Sequence, residues 1–216
     1  SITGTPQFNN VIFYQYDSSG VQYTSTFTIS GALIVNGNMT MSCGGGFCGA
    51  VGDGDYMAVN GGSINLRGNL SGYGWSGYAS GTTPITFDGT GNQTIGGADF
   101  PDGTLTINRT GVETGVVSLA WDVIMPAPFV LQAGTFNIDG YTMTMYNNFT
   151  HNGVTFNSTG GALSIWGNFT YSGGTFNGGT GAVWFNGGSN STVTRTISVT
   201  GTPQFNNVIF YQYDSS

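Results

Sequence analysis

Short stretches of alternating apolar and polar residues fill most of this chain, and Gly or Asn interrupts them every few positions. The pattern is clear in Tyr141-Thr-Met-Thr-Met-Tyr146 and in Ala162-Leu-Ser-Ile-Trp166. A period of two is typical of half-buried strands, whereas an amphipathic helix needs apolar residues three and four positions apart. Gly and Asn are common turn residues. The pattern therefore predicts an all-β chain of short strands joined by tight turns.

A twenty-residue period runs through residues 134–186. The triplet Thr-Phe-Asn occurs at 135–137, 155–157 and 175–177, and residues 148–150 recur as 168–170. A fixed step between short strands is what a β-solenoid, or parallel β-helix, requires, because each turn places one residue type about 4.8 Å above its counterpart. We therefore predict an all-β parallel β-solenoid with roughly 20 residues per turn.

The same period predicts which side chains stack. We expect inward-facing Phe side chains to form one continuous column, and the Asn residues that follow them to form an amide ladder at a corner of the coil. Full burial of an apolar side chain contributes about 1.5–3 kcal/mol, and stacked Asn side chains satisfy each other's donors and acceptors. The predicted column is Phe136, Phe156 and Phe176, and the predicted ladder is Asn137, Asn157 and Asn177.

The first nineteen residues recur as the last nineteen, with only Ile2 changed to Val199. The offset between the two copies is 197 residues. A whole-segment repeat of this kind is typical of a tandem array. We therefore expect Ser216 to be followed by another copy of the segment that begins at Gly20.

A weaker internal repeat divides this unit in two, because residues 61–71 align without a gap on 160–170 at an offset of 99. One turn per roughly 20 residues, with insertions, predicts about nine or ten turns per unit and an axial length of about 40–48 Å. The predicted organisation is one continuous solenoid over 1–216, one full unit over 20–216, half-repeats over roughly 1–90 and 91–187, and the segment 1–19 repeated as 198–216.

The charge pattern excludes several classes of partner. Only 6% of the residues are charged, the three cations are all Arg, and the formal net charge is −7. Nucleic acids and anionic lipids require clustered Lys and Arg, so we expect neither as a partner, and no stretch is apolar enough for a membrane span. Hydroxyl and amide groups must then supply the solubilising surface, which is common in exported proteins. We therefore expect an extracellular or cell-surface location.

The two cysteines, Cys43 and Cys48, flank a Gly-rich segment that is flexible enough to let their sulfurs meet. We expect a disulfide between them, with a free or redox-sensing pair as the alternative. A loop this short contributes only about 2 kcal/mol through the unfolded state. Two Cys and the single His151 are too few ligands for a structural zinc site.

The carboxylates are scattered along the chain, whereas acid–base catalysis needs them clustered. We therefore predict no catalysis and no cofactor. His151 occupies the position that Tyr171 holds one turn later, which indicates a stacked side chain rather than a catalytic base. The segment Asp53-Gly54-Asp55 has alternate carboxylates, as calcium loops do. We interpret it as a solvated turn, and it is the place where Ca²⁺ would bind if any cation binds.

Asn-X-Ser/Thr acceptors for glycosylation are frequent in this sequence. The alternative explanation is that several of them are copies of one structural repeat. Asn157 also falls in this pattern, but it is a poor candidate because it belongs to the predicted ladder. The candidate acceptors are Asn38, Asn69, Asn92, Asn108, Asn148, Asn168 and Asn190.

Aromatic residues are the remaining candidates for a binding surface. The densest group is the segment that contains Tyr73, Trp75 and Tyr78. Outward-facing aromatic rings suit stacking on sugars or lateral contact between filaments. A loop folded back over the coil would explain the same residues.

Four segments resemble repeats of very long secreted bacterial surface proteins of the filamentous-haemagglutinin and adhesin type. They are Phe8-Asn-Asn-Val-Ile-Phe13, Phe100-Pro-Asp-Gly-Thr-Leu-Thr-Ile107, Gly134-Thr-Phe-Asn-Ile-Asp-Gly-Tyr-Thr-Met-Thr-Met145 and Trp166-Gly-Asn-Phe-Thr170. The resemblance implies a right-handed parallel β-helix with a role as a surface fibre, stalk or adhesin. It implies no catalytic residues.

We therefore expect a structural extracellular filament in which copies of one repeat follow each other end to end. The alternative is an adhesin stalk whose exposed aromatic loops bind glycans or other cells. A third arrangement keeps the fold but joins separate molecules, with the terminal segment of one inserted into the next by strand addition.

Overall fold

The computed structural model describes residues 4–16, 24–44, 56–72, 79–97, 100, 102–111, 115–189 and 193–213. These residues form 25 strands and no helix. The strands stack in parallel as a β-solenoid, which confirms the predicted fold. Within the same residues, no helix is long and apolar enough to cross a membrane.

The chain coils through three stacks of strands in a fixed order, which we name Face 1, Face 2 and Face 3. Face 1 is a nine-stranded sheet of β1 (Gln7–Phe8), β4 (Ala32–Val35), β7 (Ser63–Leu66), β10 (Ile85–Phe87), β12 (Leu105–Asn108), β15 (Phe129–Ala133), β18 (Phe149–His151), β21 (Phe169–Tyr171) and β24 (Ile197–Val199). Face 2 is an eight-stranded sheet of β2 (Val11–Tyr16), β5 (Met39–Gly44), β8 (Leu70–Ser71), β11 (Gln93–Gly96), β13 (Val116–Leu119), β16 (Thr135–Asn137), β19 (Thr155–Asn157) and β22 (Thr175–Asn177).

Face 3 contains two separate sheets. In both of them, the strands follow those of Face 2 along the chain. The first sheet is β3 (Thr24–Thr28), β6 (Tyr56–Asn60) and β9 (Ala79–Ser80). The second sheet is β14 (Val123–Met125), β17 (Met143–Met145), β20 (Leu163–Ile165), β23 (Ala182–Ser189) and β25 (Asn207–Tyr213).

The length of the turns varies more than the twenty-residue period predicts. Phe129, Phe149 and Phe169 are paired in register at the predicted step of 20 residues. The step is 27 residues from Gln7 to Ile34 and 28 residues from Phe169 to Ile197. The nine strands of Face 1 span eight turns from the first to the last and the eight strands of Face 2 span seven, fewer than the nine or ten expected. The described part of each longer turn contains no more strands than that of a twenty-residue turn, so the extra residues lengthen a turn without adding a strand to the three stacks.

The core is a set of apolar columns that run along the coil. Phe136, Phe156 and Phe176 pair in register, and their rings lie 5.9 and 4.6 Å apart between successive centroids. All three side chains are buried. Face 1 adds a second Phe column, in which Phe149 lies 5.4 Å from Phe169 between ring centroids. Phe side chains also meet across the coil within one turn, as Phe129 and Phe136 do at 5.1 Å between ring centroids. Because each turn is covered above and below only by its neighbours, the stability of the coil depends on stacking.

The predicted amide ladder forms in part. The Asn157 side-chain amide donates a hydrogen bond of 2.8 Å to the Asn137 side-chain oxygen one turn earlier. Asn177 is paired with Asn157 in the strand register. Its side-chain oxygen accepts a hydrogen bond of 3.1 Å from the Gly179 backbone N–H instead.

Candidate functional site

Several residues singled out in the sequence lie outside the described residues. For Cys43 the described part is only the backbone, at the end of β5. The disulfide, the calcium loop and the aromatic segment therefore stay predictions. The residues in question are Cys48, Asp53, Asp55, Tyr73, Trp75, Tyr78 and Asn190.

The titratable groups of the described part do not converge on a catalytic or metal site. No group of three or more His, Cys, Asp or Glu side chains could hold a metal ion there. The Nε of Arg67 lies 3.6 Å from the Oδ1 of Asp88 at the surface. Burial raises the pKa of the Asp88 carboxyl, and the positive charge of Arg67 partly opposes this shift. Burial also raises the pKa of Asp102.

His151 is a stacked core residue. Its side chain is fully buried and pairs with Tyr171 one turn later, with ring centroids 5.0 Å apart. Its Nδ1 lies 2.9 Å from the Gly173 carbonyl oxygen, so the neutral ring carries its proton on Nδ1 and donates it there. Burial lowers the pKa of His151 below its usual value, and the hydrogen bonds to the backbone oppose this shift. The side chain supports the fold and is closed to a substrate.

A buried polar pair that the sequence analysis missed lies inside the coil. Arg109 is 2% exposed, and its Nη1 donates a hydrogen bond of 3.2 Å to the Gln93 side-chain oxygen. The Gln93 amide donates in turn to the backbone oxygens of Leu66 and Gly68. Burial lowers the pKa of Arg109. Alternation along Leu105-Thr-Ile107 places residue 109 inward, so the strand pattern contained this signal. The pair lies in the core and presents almost no surface to solvent.

The Asn-X-Ser/Thr motifs coincide with corners of the coil. The side-chain oxygen of Asn38 accepts a hydrogen bond of 2.9 Å from the Asn69 backbone N–H of the next turn. Asn148 does the same for the Asn168 backbone N–H at 3.0 Å. In each motif that the structure describes, the middle residue points inward and the Ser or Thr points outward, as in Met39 and Thr40. This geometry gives the motif a structural role that does not depend on glycans.

Three of the remaining candidate acceptors use their side chains in the same way. Asn69 accepts from the Thr94 N–H at 2.8 Å, and Asn168 accepts from the Thr196 N–H at 2.9 Å. Asn92 also bonds to a backbone N–H of the next turn, and the side chain of Asn108 bonds within its own turn. Their shared backbone bonding indicates a ladder, and the 99-residue alignment of Asn69 with Asn168 was the signal for it.

Glycine is required where these corners stack. A Cβ on Gly68, just before Asn69, would lie 2.2 Å from the Gly37 carbonyl oxygen of the preceding turn. Gly37 in turn stands just before Asn38, and a Cβ there would lie 2.2 Å from the Asn9 carbonyl oxygen. The Gly-Asn step therefore allows successive turns to approach at these corners.

The outer surface of Face 2 carries a groove of about 540 Å³ lined by uncharged residues. Thr40, Ser71 and Thr94 line it with hydroxyl groups, and Trp121 stands at one end with 68% of its surface exposed. Gly72, the last described residue before the segment of Tyr73, also lines the groove. An exposed indole beside uncharged hydroxyl and amide groups is suited to an uncharged polar ligand such as a sugar.

No described strand lies beyond β25, and we name this end of the described coil the open end. Ile197 and Phe210 line a cavity of about 340 Å³ there, together with Phe185 of the preceding turn. Phe210 stacks on Phe185 with ring centroids 5.6 Å apart, yet 74% of its surface is exposed. The inward-facing side chains of the last turn are therefore covered on one side only. An exposed apolar patch of this kind marks an interaction site.

Comparison with known protein families, with curated proteins and with solved structures finds no match. The fold and these surfaces define a parallel β-solenoid protein with an open end and an uncharged outer groove. The resemblance to haemagglutinin and adhesin repeats therefore rests on the sequence motifs alone.

Proposed function

We propose that this chain is a structural segment of an extracellular filament, built from tandem β-solenoid units and without catalytic activity. The observation that carries the proposal is the combination of uninterrupted stacking with a repeated end. Face 1 continues through nine strands from β1 to β24, and the sequence at the end of the coil is the sequence at its start. A following unit would then continue the same sheets and cover the open end.

The composition supports an extracellular position for this filament. Charged residues make up only 6% of the chain, and hydroxyl and amide side chains occupy many of the outward strand positions. The outward corner ladders of Asn hold successive turns together without using charge. We propose adjacent copies of the same repeat, joined end to end, as the main partner.

The test is denaturing gel electrophoresis of the native material together with negative-stain electron microscopy. A covalent tandem array runs far above the mass of one 216-residue chain and appears as filaments. Filaments that fall apart to a single band of subunit size support strand addition between separate molecules instead. Native material that contains neither filaments nor chains of several units would overturn the proposal.

We propose as the second candidate that the coil is an adhesin stalk that binds glycans. The groove with Trp121 favours this candidate, because it lies on the outer surface and begins next to the aromatic segment of Tyr73, Trp75 and Tyr78. On a glycan array, Trp121→Ala, Trp75→Ala and Tyr78→Ala should each reduce binding. Tyr146→Ala, an exposed aromatic residue on a different face, is the matched control and should leave binding unchanged.

A further inference from the structure

The repeated nineteen-residue segment lies on different faces at the two ends of the coil. In the first copy, Gln7 belongs to Face 1 and the strand Val11–Tyr16 to Face 2. In the second copy, Gln204 pairs with Asn177 on Face 2, and the equivalent strand is β25 on Face 3. The second copy of the sequence therefore lies one face further along the coil than the first copy.

The shift between faces leaves the orientation of the side chains unchanged. Phe13 pairs with the buried Met41, and its counterpart Phe210 pairs with the buried Phe185. Both Phe side chains therefore point toward the core. A slip of one residue in register would have turned Phe210 outward. The second copy is thus the same strand, with the same inward set, on the next side of the coil.

The two copies of the strand pair with neighbouring strands on opposite edges. β2 is the first strand of Face 2 and pairs with β5 of the following turn. β25 is the last strand of Face 3 and pairs with β23 of the preceding turn. Gln7 likewise pairs with Ile34 of the following turn, whereas Gln204 pairs with Asn177 of the preceding turn. Superposing the two copies gives one strand with a neighbour on each edge.

We propose that the second copy is the first turn of the next unit and that each unit is rotated by one third of a turn relative to the unit before it. β24 lies eight turns beyond β1 on Face 1, and Gln204 lies one face further than Gln7. The 197-residue offset therefore corresponds to eight and one third turns. At one strand spacing per turn, each unit advances about 40 Å along the axis. This inference rests on the proposed filament.

The occupant of the open end is thus a second copy of the segment that contains β5. Met41 of the next unit would pair with Phe210, as Met41 pairs with Phe13 within this chain. The burial of Phe13 shows the effect of that neighbour, since its exposed fraction is 7% and that of Phe210 is 74%. The apolar residues at the open end, Ile197, Val199 and Val208, would be covered by the same turn.

The rotation determines how the outer groove is displayed. Three units return the coil to its starting orientation, so the Trp121 groove would point in three directions in succession along the filament. A filament made of whole-turn units would instead present one continuous stripe of grooves. The proposed filament therefore presents its lateral surface to neighbours all around the axis.

The first test is an electron cryo-microscopy structure of native filaments. We expect successive units to be related by eight and one third turns, with the Val208–Tyr213 strand between β23 of its own unit and β5 of the next. Filaments whose units are related by a whole number of turns would overturn this inference and leave the filament proposal intact. The absence of filaments would overturn the filament proposal and would leave this inference to the second test.

The second test uses a chain with residues 1–216 followed directly by a second copy of 20–216, in which the native cysteines are replaced by Ser. Ile12 pairs with Thr40 and Trp184 pairs with Ile209 in this chain. Ile209→Cys in the first unit should therefore form a disulfide with Thr40→Cys of the second unit in one variant and with Trp184→Cys of the first unit in another. The link to position 40 tests whether the second copy is the first turn of the next unit, and the link to position 184 tests the shift to Face 3, because a whole number of turns would leave position 209 on Face 2. Thr86→Cys in the second unit, on Face 1, is the control and should stay unlinked.

A folded chain that lacks the link between positions 209 and 40, or the link between positions 209 and 184, would overturn the inference. If the substituted chain does not fold, the structure of the unsubstituted two-unit chain decides the same question. The strand Val208–Tyr213 must then lie on Face 3 of the first unit and pair with β5 of the second.

Discussion

Phe13 and Phe210 are the same residue of the repeat in two different surroundings. Phe13 is covered by the following turn and contacts Phe27 with ring centroids 5.3 Å apart. Phe210 has a neighbour in the preceding turn and is mostly exposed. Local sequence fixes the inward direction of both side chains, whereas the next turn of the coil fixes their burial. Stability in such a coil is a property of neighbouring turns.

The interior turns provide the reference for this comparison. Phe156 lies between Phe136 and Phe176, with a ring neighbour on each side. It shows the burial that an inward Phe side chain reaches when both adjacent turns are present. If burial by neighbours controls stability, the effect of removing a Phe should follow its position along the coil.

The largest expected effect is the loss of an interior ring. Phe156→Ala removes a fully buried side chain and leaves a cavity, which should lower the free energy of unfolding by about 3–5 kcal/mol. Phe210→Ala in the same 216-residue chain should lower it by about 1 kcal/mol or less. Urea unfolding followed by circular dichroism measures both. Equal losses for the two variants would contradict the dependence on neighbouring turns.

The next effect concerns the junction between units. In the two-unit chain, Phe210 of the first unit gains the neighbour that Phe13 already has. Phe210→Ala should then cost about 2–4 kcal/mol, because a ring that was exposed has become part of the core. Phe13→Ala in the single-unit chain is the matched control and should cost a similar amount. A Phe210→Ala cost that stays the same in one unit and in two would show that the second unit does not cover the open end.

The parts of the fold that follow from strict periodicity could be predicted from the sequence. Residues 136, 156 and 176 stack because three consecutive turns have equal lengths, so an offset of twenty is also a contact. The inward or outward direction of each side chain follows from alternation. These features depend only on neighbouring residues along a strand and on a constant step.

The number of turns and the shift between faces could not be predicted, since both depend on loop length. A turn can gain residues without gaining a described strand, as between Gln7 and Ile34, so residue counts do not measure turns. Identical residues can occupy different faces, because a strand on any of the three faces requires only alternating apolar and polar residues and a Gly or Asn at the corner. Arg109 was missed for another reason: charge usually indicates exposure, whereas its strand position indicated burial.

We expect acid to destabilise an interior turn of the coil rather than its ends, because the only His of the chain is in an interior turn. Burial lowers the pKa of His151 in the folded state, so below about pH 6.5 the unfolded chain binds more protons than the folded chain. The free energy of unfolding should therefore fall as the pH falls through this region, by at most about 1.4 kcal/mol per pH unit from this one group.

Unfolding by urea between pH 7.5 and pH 5.5 measures this slope. His151→Tyr, which copies Tyr171 of the next turn, should reduce it, since the Tyr side chain stays neutral throughout the range. The two carboxyls with raised pKa, Asp88 and Asp102, titrate in both proteins, so the difference between the slopes isolates His151. Identical slopes in the two proteins would contradict an acid response centred on the interior turn.

The smallest expected effect compares two rungs of one Asn ladder. Asn157→Ala removes the hydrogen bond to Asn137 in the preceding turn and should lower the free energy of unfolding by about 0.5–1.5 kcal/mol. Asn177→Ala, one turn nearer the open end, removes an exposed bond within its own turn and should cost less. Urea unfolding of the two variants in parallel measures the difference. A larger loss for Asn177→Ala would mean that bonds within a turn, rather than bonds between turns, hold this corner together.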